Sequence, residues 1–189
     1  MPLSPQTLAL LDRLRQSQKM TKTPNVSEST GTFLYDLVQK RGAKHILELG
    51  TANGVSTIYL ASAIQDQKDA HIITIESDRR IYQEAVDNLA AFDAQVTLVC
   101  ADASRYLASL STFRFDLIYI DALKSATLAH YLGVLSLLVP GGMIVVDDVV
   151  KFRSKMEDFY EYLDSHGIKY QIHMTDPDDG VMVIQDPRG

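Results

Sequence analysis

A chain of 189 residues is long enough for one well-buried core and short for two, so one domain over 1–189 is expected. Within it, an N-terminal helical extension over residues 1–30 would lead into a core over 31–189. The composition, 46% hydrophobic and 22% charged, excludes a disordered or low-complexity chain. Eighteen Lys and Arg against 24 Asp and Glu leave a formal charge of −6, which excludes a globally basic surface for gripping phosphate backbones and disfavours a nucleic-acid partner.

No apolar run reaches the roughly 20 residues that a membrane span requires. The first residues carry Asp12, Arg13 and Arg15 among their leucines, unlike a secretory leader. Cys100 has no second cysteine to pair with, and the expected location is cytoplasmic. Two local basic groups, Lys19, Lys22, Lys40, Arg41 and Lys44, then Lys151, Arg153 and Lys155, read as solvated helix faces.

Apolar runs of strand length alternate with helical patterns along the chain. The extension over 1–30 is broken by Pro24. His45–Leu49 reads as a buried strand, followed by a turn over Gly50–Gly54 and a helix over Ser56–Ile64. A second strand, His71–Ile75, precedes a helix over Arg79–Phe92 with Tyr82, Ala85, Val86 and Leu89 on one face. Val96–Cys100 is a third strand and Ala103–Leu110 a short helix. Phe115–Ile120 is a fourth strand, and a helix over Thr127–Leu138 stops at Pro140, Gly141 and Gly142. Met143–Val146 is a fifth strand, and Arg153–His166 a helix ended by Gly167. Lys169–Met174 and Val181–Gln185 flank a turn at Asp176–Gly180 and should pair antiparallel. Strands alternating with helices build an α/β, doubly wound parallel sheet, whose ligands bind beyond the carboxyl ends of the strands.

The chemistry-bearing residues gather at those ends. The first reads Glu48-Leu49-Gly50-Thr51-Ala52-Asn53-Gly54, a turn whose glycines let a ligand approach the backbone. Ala52 stands where a dinucleotide fingerprint wants its second glycine, and Glu48 is a poor neighbour for a pyrophosphate. Glu76, 26 residues after Gly50, is placed to take both hydroxyls of a ribose, with Ser77 or Asp78 free to cap the next helix. Asp102 could cap a helix or receive an adenine amino group. Five strands each finish in an acid, Glu48, Glu76, Asp102, Asp121 and Asp147, and five on one rim require something cationic to offset their repulsion. Asp121, Asp147 and Asp148 come from neighbouring ends, and three hard oxygen donors suit Mg²⁺, Mn²⁺ or Ca²⁺. Lys124 follows Asp121 by three residues and could act there as a general base. The five histidines do not cluster and read as structural.

These blocks resemble the class I S-adenosylmethionine-dependent methyltransferases, and within them the cation-dependent O-methyltransferase group that includes catechol and caffeoyl-CoA O-methyltransferases. The carriers are Ile46–Thr57, Ile75–Asp78, Phe115–Lys124, Leu138–Gly142 and Asp147-Asp148. The resemblance implies a Rossmann-like seven-stranded sheet with its last strand antiparallel. It further implies that Glu48, Gly50, Ala52 and Ser56 line the methionine side of S-adenosyl-L-methionine, that Glu76, beside Ser77, holds the ribose, and that Asp102 and Ala103 meet the adenine. Asp121 would serve the methionine amino group and a divalent cation, Asp147 and Asp148 would complete the metal's ligands, and Lys124 would deprotonate the acceptor hydroxyl. Dimers are frequent in such a group, and Leu8, Leu10, Leu11 and Leu14 could pack across a partner or fold back on their own domain.

Against the group's pattern, Asp148 stands where Asn is usual, Leu123 replaces a polar residue, and Val149-Val150-Lys151-Phe152 lacks the Trp and Gly common there. The expected activity is methyl transfer to a hydroxyl of a small, hydroxylated aromatic acceptor. The alternatives are methylation of a hydroxyuridine in tRNA, an NAD(P)-dependent oxidoreductase, and a cofactor-binding protein without catalysis.

Overall fold

The computed structural model describes residues 3–21, 25–92 and 95–188, with the side chains of 18–21 left out. Lys22, Pro24 and the side chain of Lys19 therefore lie outside the described residues. The elements, in order, are α1 (Pro5–Thr21), α2 (Glu28–Arg41), β1 (His45–Leu49), α3 (Val55–Ile64), β2 (His71–Glu76), α4 (Arg79–Leu89), β3 (Val96–Cys100) and α5 (Ala103–Tyr106). They continue with β4 (Phe115–Ile120), α6 (Thr127–Val134), β5 (Leu138–Val146), α7 (Glu157–Ser165), β6 (Gln171–Met174) and β7 (Gly180–Gln185). The helices read over Arg79–Phe92 and Ala103–Leu110 each end in a tighter 3₁₀ turn. None of the described helices is long and apolar enough to cross a membrane.

The seven strands form one sheet in the order β3-β2-β1-β4-β5-β7-β6. Strands β3, β2, β1, β4 and β5 run parallel, and β7 is inserted antiparallel to both β5 and β6. Side chains alternate between the faces, as a period of two demands. Leu47, Leu49, Ile118, Ile120, Ile144 and Val146 pack toward α6 and α7 through Tyr131, Val134, Phe159 and Leu163. Ile46, Ile72, Leu117, Tyr119 and Val145 pack on the opposite face against Leu34 and Val38 of α2 and Leu60 and Ile64 of α3.

The fifth strand departs from the sequence reading. It begins at Leu138, before Pro140 and the two glycines, because Leu138 pairs with Phe115 while Met143 pairs with Leu117. The intervening residues bulge out of the ladder, where Pro140 needs no donor and Gly141 takes φ +78°.

Helix α1 folds back on its own domain. Leu11 and Leu14 are buried against Val55, Ile58 and Tyr59 of α3 and Ala85 and Leu89 of α4, whereas Leu8 stays 47% exposed. Leu11→Ala would leave a cavity at this seam, and the expected loss is about 2–4 kcal/mol in urea unfolding, with faster amide exchange concentrated in α1. A loss below about 0.5 kcal/mol would mean that α1 does not pack there.

Candidate active site

Parallel strand ends are stitched side by side. The Gly50 N–H donates to the Ile75 carbonyl (3.0 Å), the Ala101 N–H to Glu76 (3.0 Å), the Asp121 N–H to Leu49 (2.9 Å) and the Asp147 N–H to Ile120 (3.1 Å). This brings Glu76, Asp102, Asp121 and Asp147 to one edge. A cavity of about 1000 Å³ opens there, lined by Gly50, Ala52, Glu76, Ser77, Asp102 and Ala103 on one side. Asp121, Lys124, Asp147 and Asp148 line its other side.

The loop after β1 takes a conformation set by its sequence. Gly50 adopts φ +100°, and Ala52 itself is left-handed at φ +47°. The Ala52 N–H donates to Glu76 Oε2 (2.9 Å), and the Asp78 N–H to Glu76 Oε1 (2.7 Å). The loop amide that a pyrophosphate would use is thus already taken by a carboxylate. Each Glu76 oxygen accepts one backbone bond and retains further acceptor capacity. Asp102 caps α5 through the Arg105 N–H (3.0 Å) and also lines the cavity.

Glu48 is not on this rim, which corrects the sequence count of five acids. It sits inside β1 on the face that turns away from Leu47 and Leu49, is completely buried, and does not line the cavity. Its carboxylate accepts from the hydroxyls of Ser56 (2.6 Å), Thr57 and Thr74 (2.6 Å). Burial pushes its pKa up, against the pull of those three hydroxyls. Ser56, also off the cavity wall, is spent on Glu48. Glu48 and its three hydroxyl partners fasten α3 to β1 and β2 beneath the loop.

The reactive-looking cluster lies where β4 and β5 end. Lys124 Nζ donates to Asp121 Oδ1 (2.6 Å), pairs with Asp148 Oδ2 (2.8 Å) and approaches the Asp147 carbonyl (3.4 Å). Burial alone would lower the lysine, but the Asp121 and Asp148 carboxylates outweigh it and hold the ammonium above its ordinary value. Burial raises Asp121 to about 6 despite Lys124, and burial with the nearby Asp121 raises Asp147 to about 7. In this arrangement Lys124 is a protonated partner of two carboxylates.

The three aspartates read as one metal set do not all converge. Asp147 is turned aside: its Oδ2 accepts from the Tyr119 hydroxyl (2.6 Å) and its Oδ1 from the Asp148 N–H (2.9 Å). Among the described residues no three His, Cys, Asp or Glu side chains are gathered as a metal cluster. Asp121 and Asp148 nevertheless place one hard oxygen each on a single cationic nitrogen, so the donor types fit a divalent cation in a site of two carboxylates. Asp148 has φ +59°, a conformation that Asn and Asp tolerate better than most residues.

A second cavity of about 590 Å³ meets the first at Asn25, Val26, Asp147, Asp148 and Lys151. Its wall carries Glu28, Asp147, Asp148, Asp176, Asp178 and Asp179 against Arg15 and Lys151. Several residues here escaped sequence reasoning. Tyr119 looks like an ordinary strand aromatic, and Asn25 and Val26 precede α2 with no periodic signal. His130, read as structural, lines the larger cavity.

The description "Methyltransferase domain" matches residues 47–149. Among curated proteins, the chain is 37% identical over 133 residues to a catechol O-methyltransferase of Niastella koreensis, covering 67% of this chain and 59% of the relative. It is 34% identical over 128 residues to a catechol O-methyltransferase of Mycobacterium tuberculosis, covering 67% and 57%. The chain thus spans less than two thirds of either relative. Among solved structures, the O-methyltransferase from Bacillus cereus in complex with SAH superposes with a TM-score of 0.80 at 26% identity, covering 94% of this chain and 90% of that one. The O-methyltransferase TomG from Streptomyces achromogenes in complex with SAM gives 0.80 at 26%, covering 93% and 89%.

Proposed function

Because the chain belongs to the methyltransferase-domain family, we propose that it moves the methyl group of S-adenosylmethionine to a hydroxyl oxygen of a small aromatic acceptor. The observation that carries this reading is a cavity with Glu76, Asp102 and Asp121 spaced along it, opening at Asp147-Asp148 into a second cavity for the acceptor. Carboxylates spaced in this way suit a cationic nucleoside: Glu76 for the ribose diol, Asp102 and Ala103 for the adenine, and Asp121 for the ammonium. Gly50, Ala52 and Ser77 would flank it through backbone and small side chains. Glu48 and Ser56 would act beneath the loop, keeping its shape.

The cofactor supplies a methyl carbon made electrophilic by the sulfonium sulfur to which it is bonded. As the acceptor oxygen takes that carbon, the carbon–sulfur bond breaks with its electron pair on sulfur, and the acceptor hydroxyl gives up its proton. Holding both reactants in line is the protein's main contribution. A divalent cation, Mg²⁺ with Mn²⁺ or Ca²⁺ as alternatives, would be held by Asp121 and Asp148 and supplies Lewis acidity toward the acceptor hydroxyl. With those carboxylates satisfied otherwise, Lys124 loses what holds its proton and stands within reach as the base.

The acidic wall of the second cavity argues against a polyanionic acceptor such as tRNA. The Ala52–Glu76 bond argues against a pyrophosphate-bearing nicotinamide cofactor. The same reading takes the chain as one cytoplasmic catalytic domain that works as a homodimer, for which exposed Ile172 and Met174 on the edge strand β6 offer apolar surface.

Calorimetry tests the core of it. S-adenosylmethionine is expected to bind and NAD to give no heat, and Glu76→Ala should weaken cofactor binding roughly tenfold to a hundredfold through the lost diol contacts. Equal affinity in that variant would remove Glu76 from the site. EDTA should stop methylation of 4-methylcatechol without stopping cofactor binding; undiminished activity would end the metal assignment and leave methyl transfer standing.

A further inference from the structure

We propose that His130 reads the base of the cofactor, accepting a hydrogen bond from the adenine 6-amino group opposite Asp102. The inference rests on the methyltransferase reading and adds to it a residue that recognises the base.

His130 comes from α6, an element apart from the loops that carry the rim acids, yet it lines the same cavity as Ala101, Asp102, Ala103 and Ser104. It is 5% exposed, and its Nδ1 is buried without a hydrogen-bond partner. A buried ring nitrogen without a partner costs on the order of 1–3 kcal/mol, so its retention beside the cavity calls for a ligand group that completes it. Burial lowers its pKa, with Asp102 near enough to pull the other way. The ring is therefore neutral near pH 7, and a neutral imidazole carries one acceptor nitrogen and one N–H.

Asp102 spends Oδ1 on the Arg105 N–H (3.0 Å), which leaves Oδ2 for a ligand. A 6-amino group presents two hydrogens, one toward each edge of the base. Two acceptors from different elements, Asp102 after β3 and His130 on α6, can take one each. A base with no 6-amino group would leave both acceptors unpaired, and that is how a polar pocket rejects an analogue lacking the group.

The experiment measures S-adenosylhomocysteine binding to the wild type and to His130→Phe by calorimetry. Competition by adenosine and by purine riboside, which lacks the 6-amino group, follows for both proteins. The wild type is expected to prefer adenosine about tenfold, and His130→Phe to bind S-adenosylhomocysteine about tenfold more weakly and to lose most of that preference. His130→Asn, which keeps an acceptor, should recover part of it. A purely structural histidine would weaken both nucleosides alike, so an unchanged preference in His130→Phe, or none in the wild type, overturns the assignment. If thermal melting shows the Phe variant unfolded, His130→Leu takes its place under the same two outcomes. Failure of the wild type to bind S-adenosylhomocysteine would sink the methyltransferase reading itself, which the variants cannot do.

Discussion

Lys124→Met is expected to lower turnover by about 10²–10⁴-fold, the range typical for loss of a general base, without weakening S-adenosylmethionine binding. The two halves of this expectation have different causes. Turnover falls because Nζ is the basic group held at the junction of the two cavities, 2.6 Å from Asp121 and 2.8 Å from Asp148. Binding persists because a methionine side chain removes a positive charge from the neighbourhood of a cationic cofactor and leaves the Asp121 carboxylate free to meet it. The companion variant, Lys124→Arg, keeps the charge between the carboxylates but does not give up its proton, so it should be nearly as slow as Lys124→Met. Activity in Lys124→Arg close to the wild type would show that the position needs only a cation, and the role of base would pass elsewhere. The assay is release of S-adenosylhomocysteine with a catechol acceptor, alongside calorimetric binding of S-adenosylmethionine.

The strands were legible because the strands of a parallel sheet read as short, mainly apolar runs between longer helical patterns. His45–Leu49, Val96–Cys100 and Phe115–Ile120 have the same ends in the sequence reading and in the structure. The rim acids at the ends of β2 to β5 were legible for the related reason that a charged residue closing such a run needs a ligand, water or a polar partner.

Glu48 shows where that reasoning fails. An acid inside the same run, one residue before its end, looks identical in the sequence, and only the alternation of Ile46 and Glu48 against Leu47 and Leu49 separates it from the rim. Its partners Ser56, Thr57 and Thr74 come from two other elements, and a hydroxyl announces no particular carboxylate. The three aspartates are divided for a similar reason. Asp147 and Asp148 are adjacent in the chain, but the left-handed backbone at Asp148 and the Tyr119 hydroxyl send their side chains to different partners. His130 was missed because a helical histidine carries no sign of which face of α6 meets a cavity.

Gly50→Ala should be strongly damaging to both stability and cofactor binding. A Cβ at Gly50 would lie 2.0 Å from the Asp121 carbonyl oxygen, 2.7 Å from the Asp121 carbonyl carbon and 3.1 Å from the Ala122 nitrogen. All three are backbone atoms, so no side chain can swing away to make room. The φ of +100° adds a conformational penalty that an L-residue meets even in open space. Gly42 separates the two contributions, because it is also left-handed, at φ +63°, but an added Cβ there meets nothing within 4 Å. Gly42→Ala should therefore cost about 1 kcal/mol, the strain alone, while Gly50→Ala should cost roughly 2–6 kcal/mol, strain and overpacking together. The relief available to Gly50→Ala is to part the ends of β1 and β4, which breaks the Asp121 N–H to Leu49 bond of 2.9 Å and carries Asp121 away from the loop after β1. Cofactor binding should consequently be lost under conditions where the variant is still folded. Urea unfolding of both variants with calorimetry on the folded protein decides this. If Gly50→Ala unfolds with Gly42→Ala and binds S-adenosylmethionine normally, then the loop after β1 does not press on β4 and the site's geometry has another origin.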